Sequence, residues 1–345
     1  MRTFEKDPHA DGYLNAFAFG VFVPTFRQSS EVLSAGTERE YRRQLTDRLF
    51  MPGIGYSRKV GRLRFGVSGF YVLRALDSSE TSSVTRTSGE AGQDAFRLVD
   101  SNVGLSSGNL QFVFGVKYLL GDRFLVGASV STPGLAINTK ADVRYRRGAS
   151  DPSVADGSRF TSVSRVLPSG WRPTPTARFG LAYRYERLFT ISGDLSLHFP
   201  ITYRLVELDP STPREWLPFA NTVKRNAVVN LNVGVEVQPI ENFTVGGGFF
   251  TDFSSSPSLS GPAYAGALSE PKLESIDLYG LSATVGFISQ FSITRVGVNY
   301  ALGRGHDVVA EDNVARILDG NTAYRRVSVF TSFFYIFVSS TLRFL

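Results

Sequence analysis

Residues 177–203, ARFGLAYRYERLFTISGDLSLHFPITY, hold two runs of alternating apolar and polar residues. In the first run the odd positions 179–185 are aromatic or apolar, and a polar turn, Glu186-Arg187, follows. In the second run, 189–201, nearly all odd positions are apolar. A period of two residues predicts β-strands. A strand in a soluble sheet has roughly 5–6 residues. The longer second run, with one apolar and one polar face, therefore predicts the wall of a transmembrane barrel.

The same alternation recurs along the chain and predicts about 12 strands. They lie at 14–26, 49–58, 61–76, 110–119, 124–145, 177–185, 189–201, 223–237, 243–250, 273–288, 291–302 and 323–338. The stretch 81–106, or residues missing at the N-terminus, could supply two more. Polar stretches rich in turn-forming residues predict loops. They lie at 27–46, 77–94, 148–173, 207–222, 252–271 and 303–321.

Short and long connections alternate along this pattern. Outer-membrane barrels have short periplasmic turns and longer extracellular loops, with aromatic residues at the membrane interfaces. Aromatic residues flank the short turns here, as in Tyr118 with Phe124 and Tyr185 with Phe189. The sequence thus predicts an all-β fold, a transmembrane antiparallel up-and-down β-barrel of about 12–14 strands in the outer membrane of a Gram-negative bacterium.

Composition narrows the classes of function. The 345 residues include no cysteine and carry a net charge of +6. A disulfide scaffold and a thiolate metal site are therefore excluded. The scattered basic residues and the lack of a nucleic-acid-binding motif argue against nucleic acid as a partner. Arginines of the predicted loops, such as Arg42 and Arg144, are either solvated charges or contacts to an anionic surface such as lipopolysaccharide.

The N-terminal sequence, MRTFEKDPHADGY, shows neither the basic start nor the apolar core of a secretory signal peptide,. An outer-membrane protein needs such a peptide, so a soluble all-β protein stays open as an alternative. Apolar outward faces on nearly every strand argue against it. We interpret residues 1–13 as a separate N-terminal segment and 14–345 as a single barrel.

Three stretches resemble the FadL/OMPP1/TodX family of outer-membrane transporters for hydrophobic compounds. They are LQFVFGVKYLLGDRFLVGASVSTPG (110–134), PTARFGLAYRYERLFTISGDLSLHF (175–199) and NLNVGVEVQPIENFTVGGGFFTDFSSSPSL (230–259). The shared features are small residues and turns in three successive hairpins, over roughly residues 45–340. The family's Asn-Pro-Ala plug motif does not occur in this sequence, so residues 1–13 would be at most a remnant of the plug.

The resemblance implies a 14-stranded barrel that passes hydrophobic small molecules, such as long-chain fatty acids, by passive diffusion. Ligand would enter between the outer loops, occupy a lumen pocket and leave sideways through a strand kink. It also implies a monomer without cofactor that is inserted by the barrel-assembly machinery and contacts outer-membrane lipid and lipopolysaccharide. Two other interpretations stay open, a structural or surface-interaction barrel without transport and a general porin.

Basic residues on the polar strand faces are the first candidates for ligand contact. They are Arg64, Lys117, Arg178, Arg184 and Lys224. A cation in a partly apolar pocket can hold a carboxylate through charge-assisted hydrogen bonds. The alternative for each residue is an ion pair with a lumen carboxylate such as Asp194 or Glu236.

Phe70 and Phe250 also fall on the polar faces, where they could line an apolar path. Pro133 and Gly134 are candidates for a strand kink, because proline cannot donate to the β-ladder.

Catalysis has one candidate, the series Asp194, Ser196 and His198 on one strand face. These are the residue types of a serine hydrolase, but no group supplies an oxyanion hole. His9 and His306 match no metal-ligand spacing. The sequence therefore predicts no enzyme, no metal and no cofactor.

Overall fold

A computed structural model describes most of the chain. The described residues are 14–35, 39–86, 95–150, 158–185, 188–210, 217, 221–257, 275–289, 292–310 and 324–342. The predicted segment 1–13 and the predicted turn Glu186-Arg187 lie outside them. No helix among the described residues has the length and apolar character needed to cross a membrane.

Sixteen β-strands make up the described fold. They are β1 (Leu14–Ala35), β2 (Arg39–Val60), β3 (Leu63–Arg86), β4 (Ala95–Leu120), β5 (Phe124–Ser131), β6 (Leu135–Ser150), β7 (Ser158–Leu167), β8 (Thr176–Tyr185), β9 (Phe189–His198), β10 (Ile201–Arg204), β11 (Thr222–Arg225), β12 (Val228–Ile240), β13 (Phe243–Asp252), β14 (Ser275–Ile288), β15 (Ser292–Ala310) and β16 (Tyr324–Leu342).

One 14-stranded antiparallel sheet contains all of these strands except β10 and β11. Its main path runs β1-β2-β3-β4-β5-β8-β9-β12-β13-β14-β15-β16, and β6 pairs with β4 and β7. The sheet curls, so that side chains from strands as distant as β9 and β16 line one cavity. The predicted all-β, antiparallel barrel architecture is confirmed.

Several strands are pieces of one crossing of the wall. Residues 113–120 of β4 pair with β5, and residues 96–110 of β4 pair with β6. β5 and β6 therefore lie end to end along the same edge of β4. By the same reasoning β7 continues as β8, β9 as β10, and β11 as β12. Sixteen strands therefore make twelve crossings, at the lower limit of the predicted range.

An apolar belt covers the outward face of the sheet. On β8, Phe179 and Leu181 are 60% and 54% exposed, and their strand neighbours Gly180 and Ala182 face inward. The same alternation continues on β12, where Val229, Leu231 and Val233 are exposed. Exposure of so many apolar side chains is unfavourable in water but favourable in contact with lipid, as on the outside of a transmembrane barrel.

Short turns join the crossings at one end of the barrel, which we call the inner end. Gly61 and Gly121 adopt positive φ angles of 55° and 66° in two of these turns, a conformation that glycine adopts without strain,. Aromatic pairs gather at this end. Tyr185 stacks on Phe189 at 5.4 Å between ring centroids, and Phe243 meets Phe287 at 5.6 Å.

Most of the predicted outer loops are wrong, because the strands continue into them. β1 and β2 cover the described residues of the predicted loop 27–46, and β3 covers residues 77–86 of the predicted loop 77–94. The described residues of the stretch 81–106 belong to the outer ends of β3 and β4 and form no additional crossing. β6, β7 and β15 likewise extend into 148–173 and 303–321. Part of the outward face of these extensions is polar, as at Ser162 and Ser164 on β7, although Phe160 on the same strand is 73% exposed.

The predicted continuous strand 223–237 is also wrong. It breaks at residues 226–227 into β11 and β12, and the partner strand breaks at Phe199-Pro200. Pro200 has no amide hydrogen for the ladder. The amide of Asn226 donates instead to the carbonyl of Ser255, at 2.6 Å. The break also changes the phase of the alternation, so Val223 is buried inside while Val229 faces out.

A packed apolar cluster fills the interior towards the outer end. Its buried residues come from the inward faces of β3, β4, β6, β7 and β11, from the segments after β7 and after β10, and from the segment before β11. They include Val72, Leu76, Val103, Leu105, Ala141, Val143, Leu167, Trp171, Leu205, Val206, Leu217 and Val223. We call this the roof cluster, since it lies above the space inside the inner half of the barrel.

Candidate functional site

A chamber of about 590 Å³ lies in the inner half of the barrel, below the roof cluster. Arg64 on β3, Lys117 on β4 and Arg178 on β8 line it, together with Asp194 on β9. Arg64 and Lys117 are direct cross-strand partners. Three of the five basic residues proposed from the sequence thus share one space, with one carboxylate.

Glycines make room for this chamber. The register that joins Lys117 to Asp194 runs through Gly127 and Gly180 on the intervening strands. A Cβ atom at Gly180 would collide with the carboxylate of Asp194. Residues without side chains therefore leave the lumen open along this row, while the charged side chains project across it.

A second chamber of about 440 Å³ adjoins the first, and Ser192 and Asp194 line both. Glu236 on β12 and Arg295 on β15 line this second chamber. Arg295 donates from Nε and Nη2 to the two carboxylate oxygens of Glu236, at 3.2 and 3.4 Å. The ion pair spans β13 and β14, so it ties four neighbouring strands together.

The remaining basic candidates lie elsewhere. Arg184 is on the inward face near the inner turn of β8, and its register partner Thr190 is in turn the partner of Glu236. Lys224 is exposed on β11, opposite in phase to the buried Val223. The structure does not bring Lys224 to the basic residues of the first chamber.

The two phenylalanines proposed from the sequence occupy different levels of the interior. Phe250 lines the second chamber, where Phe337 of β16 also projects inward. Phe70 packs against the roof cluster. On β3 the inward positions therefore pass from Arg64, in the chamber, through Phe70 to Val72, in the roof cluster. The basic chamber and the apolar roof cluster are continuous along this strand.

Trp171 is held in the roof cluster by an ion pair that sequence reasoning missed. Arg74 donates from Nε and Nη2 to the carboxylate of Asp47, at 2.9 and 2.7 Å. The guanidinium carbon lies 5.2 Å from the centre of the Trp171 ring, which is a cation–π distance,. Arg74 has the same strand phase as Arg64, and that phase was the available signal for its inward position.

A gap in hydrogen bonding interrupts the wall between the crossing β5–β6 and the crossing β7–β8. Pro133 and Gly134 lie in the break from Thr132 to Gly134, and residues 168–175 interrupt the neighbouring crossing. A Cβ atom at Gly134 would overlap the ring of Pro173. The gap is thus filled by a proline segment packed on a glycine, and not by a ladder. We call it the wall window.

The hydrolase candidate gains no support from the geometry. His198 Nδ1 lies 3.4 Å from Thr176 Oγ1, and Ser196 is buried opposite Arg178 in the register. Among the described residues, no hydrogen bond joins Asp194, Ser196 and His198 to one another. The described part of the chain also contains no cluster of three or more His, Cys, Asp or Glu side chains that could hold a metal ion.

No protein-family model matches the sequence, and no curated protein matches it. Solved structures do share its fold. The CymD monoaromatic hydrocarbon channel superposes with a TM-score of 0.50 at 10% identity, over 96% of this chain and 87% of CymD. The toluene transporter TodX of P. putida gives a TM-score of 0.50 at 11% identity, over 96% and 88% of the two chains.

A FadL homologue from Pseudomonas aeruginosa is also similar, with a TM-score of 0.47 at 11% identity over 91% of this chain and 77% of the homologue. The likeness to CymD and TodX shows that this chain shares their β-barrel fold.

Proposed function

We propose that the protein is an outer-membrane channel that passes hydrophobic small molecules, such as long-chain fatty acids, by passive diffusion through its lumen. The inner turns would face the periplasm and the extended strands the outside of a Gram-negative cell. The proteins with the same fold are described as a hydrocarbon channel and a toluene transporter, which supports this class of substrate.

The continuity of an apolar cluster with a basic chamber is the observation that carries the proposal. A fatty acid has an apolar tail and an anionic head. Its tail would displace packing around Phe70 and Val72, and its carboxylate would meet Arg64 and Lys117 below. Charge-assisted hydrogen bonds to the carboxylate would fix the orientation of the molecule.

In this proposal the bound fatty acid leaves the lumen through the wall window. Backbone groups in an ordinary barrel wall are paired, so a ligand cannot pass between strands without breaking the ladder. Between Thr132 and the segment 168–175 no ladder has to be broken. Displacement of the Pro173 segment from Gly134 would open a sideways route, in keeping with the family that the sequence resembles.

Ligand binding to a double variant that replaces two cations of the chamber by glutamine tests the role of the chamber. We predict that Arg64→Gln with Lys117→Gln weakens binding of a long-chain fatty acid about tenfold or more, since each hydrogen bond to a charged group contributes about 1.5–3 kcal/mol. Binding of the fatty alcohol of the same length should not change, because it has no carboxylate. Fluorescence displacement on the purified protein measures both.

Arg62→Gln with Arg123→Gln is the matched control, because it removes two positive charges from exposed inner turns. Equal weakening of acid and alcohol in the chamber variant would show damage to the fold and not loss of a head-group contact. Unchanged affinity for the acid would contradict the assignment of the chamber.

A general porin is the second candidate, and the lining of the chambers favours it. Serine, threonine and glycine line much of both chambers, as Ser57, Ser68 and Ser129 do in the first and Thr190 and Thr284 in the second. A porin would conduct ions and small sugars. The roof cluster opposes this reading, because it fills the interior above the chambers.

A further inference from the structure

Three cations lie side by side on the inward faces of neighbouring strands, and we call them the cation row. Lys59 on β2 is the register partner of Arg64 on β3, and Arg64 is in turn the partner of Lys117 on β4. Lys59 is only 7% exposed, and it shares a strand face with Ser57, which lines the first chamber. The Cβ atoms of directly opposite residues are about 4.5–5.5 Å apart, so like charges there destabilise the sheet. An anion bound between the three side chains would remove this repulsion.

The carboxylates of the protein balance little of this charge. Arg178 adds a further cation to the first chamber, and Asp194 is the one carboxylate among the described residues that line it. Within the part of the chain that the structure describes, Lys59, Lys117 and Arg178 form no ion pair with a carboxylate. The other carboxylate of the second chamber is already bonded to Arg295. The first chamber and the cation row together therefore carry a net positive charge.

A head group that suits this arrangement has two negative charges and several acceptor oxygens. A carboxylate has one charge and two oxygens. A phosphate monoester carries a charge of about −1.5 to −2 at neutral pH and offers three acceptor oxygens around one atom. Arginine can donate two parallel hydrogen bonds to a phosphate, and lysine binds it as a point charge. The hydroxyl groups of Ser57, Ser68 and Ser129 line the same chamber and can donate further hydrogen bonds,.

We propose that the first chamber binds the dianionic phosphate of a monoalkyl phosphate, and that Lys59, Arg64 and Lys117 hold it together. The alkyl chain would extend past Phe70 towards the roof cluster, so the inference rests on the proposed function for the apolar half of the ligand. It goes beyond the proposed function in the head group, because the chamber would prefer a phosphate monoester to a carboxylate on the same chain.

Calorimetric titration of the purified protein with a series of octyl compounds tests the proposal. Octyl phosphate, octyl methyl phosphate, octanoate and octanol share one chain and differ in the charge of the head group. At about pH 8 octyl phosphate is the dianion, since its second pKa is about 6. We expect it to bind about tenfold more tightly than the two monoanions, because a tenfold difference corresponds to about one additional hydrogen bond to a charged group. Octanol should bind most weakly.

Single substitutions locate the preference for phosphate. Lys59→Gln removes one charge from the cation row, and Lys117→Gln does so at a more exposed member. Arg62→Gln is the matched control, because it removes one charge from the exposed turn between β2 and β3. We expect both row variants to lose most of the preference of octyl phosphate over octanoate, and the control to keep it. The preference is a ratio within one variant, so a reduced amount of folded protein does not alter it. Heat-modifiable migration in a gel verifies folding.

The outcomes separate this inference from the proposed function. Equal affinity for octyl phosphate and octyl methyl phosphate would overturn the inference, as would an unchanged preference in both row variants or an equal loss in the control. Binding of octanoate in these cases would leave the fatty-acid channel intact. Inorganic phosphate that displaced octyl phosphate at equal affinity would also overturn the inference, because the alkyl chain would then contribute nothing. Absence of binding for every octyl compound would contradict the proposed function as well.

Discussion

Arg74 joins three elements that are far apart in the sequence. Its guanidinium bonds Asp47 on β2 and lies over Trp171 in the segment after β7. The side chains of the pair are only 12% and 18% exposed. A charge left alone at this level of burial is costly, because the partner would lose both its counter-ion and its hydration.

We therefore predict that Arg74→Met lowers the free energy of unfolding by about 3 kcal/mol, since it leaves Asp47 without its counter-ion. Arg165→Met is the matched comparison. Arg165 bonds Asp209 at 3.0 Å, but these side chains are 34% and 45% exposed. An exposed pair contributes only about 0–1 kcal/mol, so this variant should be nearly neutral.

Urea unfolding of the protein from lipid vesicles measures both differences in stability. A small loss for Arg74→Met, no larger than that for Arg165→Met, would show that the ion pair does not anchor Trp171 in the roof cluster.

At the scale of the strands, the outer ends of β2, β3 and β4 form a wall that extends beyond the bilayer. Pairing is continuous from Leu63 with Tyr118 to Arg86 with Ala95. A transmembrane strand needs about 9–11 residues to cross the hydrocarbon, so much of each strand stands outside it.

Cysteine labelling tests this geometry cleanly, because the chain has no cysteine of its own. We predict that Asn102→Cys reacts with a water-soluble maleimide in outer-membrane vesicles, and that Phe114→Cys on the same strand does not. Both side chains face outward, but only Phe114 lies in the apolar belt. Similar reactivity at the two positions would contradict the assigned limits of the belt.

Sequence reasoning predicted the membrane-spanning strands better than their extensions. In the belt, lipid requires apolar residues at every second position, as at Phe179 and Leu181, so the pattern is visible in the sequence. Beyond the belt both faces can be polar. The pairing of Ser79 with Asn102 leaves no apolar signal and reads as a loop.

In the candidate site, the positions that follow from strand alternation were predicted, and those that depend on distant contacts were not. The phase of each strand predicted that Arg64, Lys117 and Arg178 face inward, and these residues do line one chamber. The break at residues 226–227 shifted the phase for Lys224, because the bond from Asn226 to Ser255 involves a distant strand end. The pair Asp47 and Arg74 likewise depends on register over 27 residues, which no local pattern reveals.

At the scale of the whole molecule, the interior combines an apolar roof cluster, a basic chamber and an unpaired window in the wall. The roof cluster should block water-filled passage. In the proposed function, the chamber would offer cations to an acidic head group, and the window would offer a way out between crossings. The combination favours selective passage of an amphiphile over an open pore.

Uptake by whole cells shows directly whether the barrel passes an amphiphile selectively. The protein, placed behind a secretion signal, would be expressed in bacteria that lack their own outer-membrane fatty-acid channel. Radiolabelled long-chain fatty acid is the test solute, and a small radiolabelled sugar is the control. We expect fatty-acid uptake well above that of cells without the protein, and no increase for the sugar. Sugar uptake equal to or above fatty-acid uptake, or no uptake of either solute through a folded barrel, would contradict it.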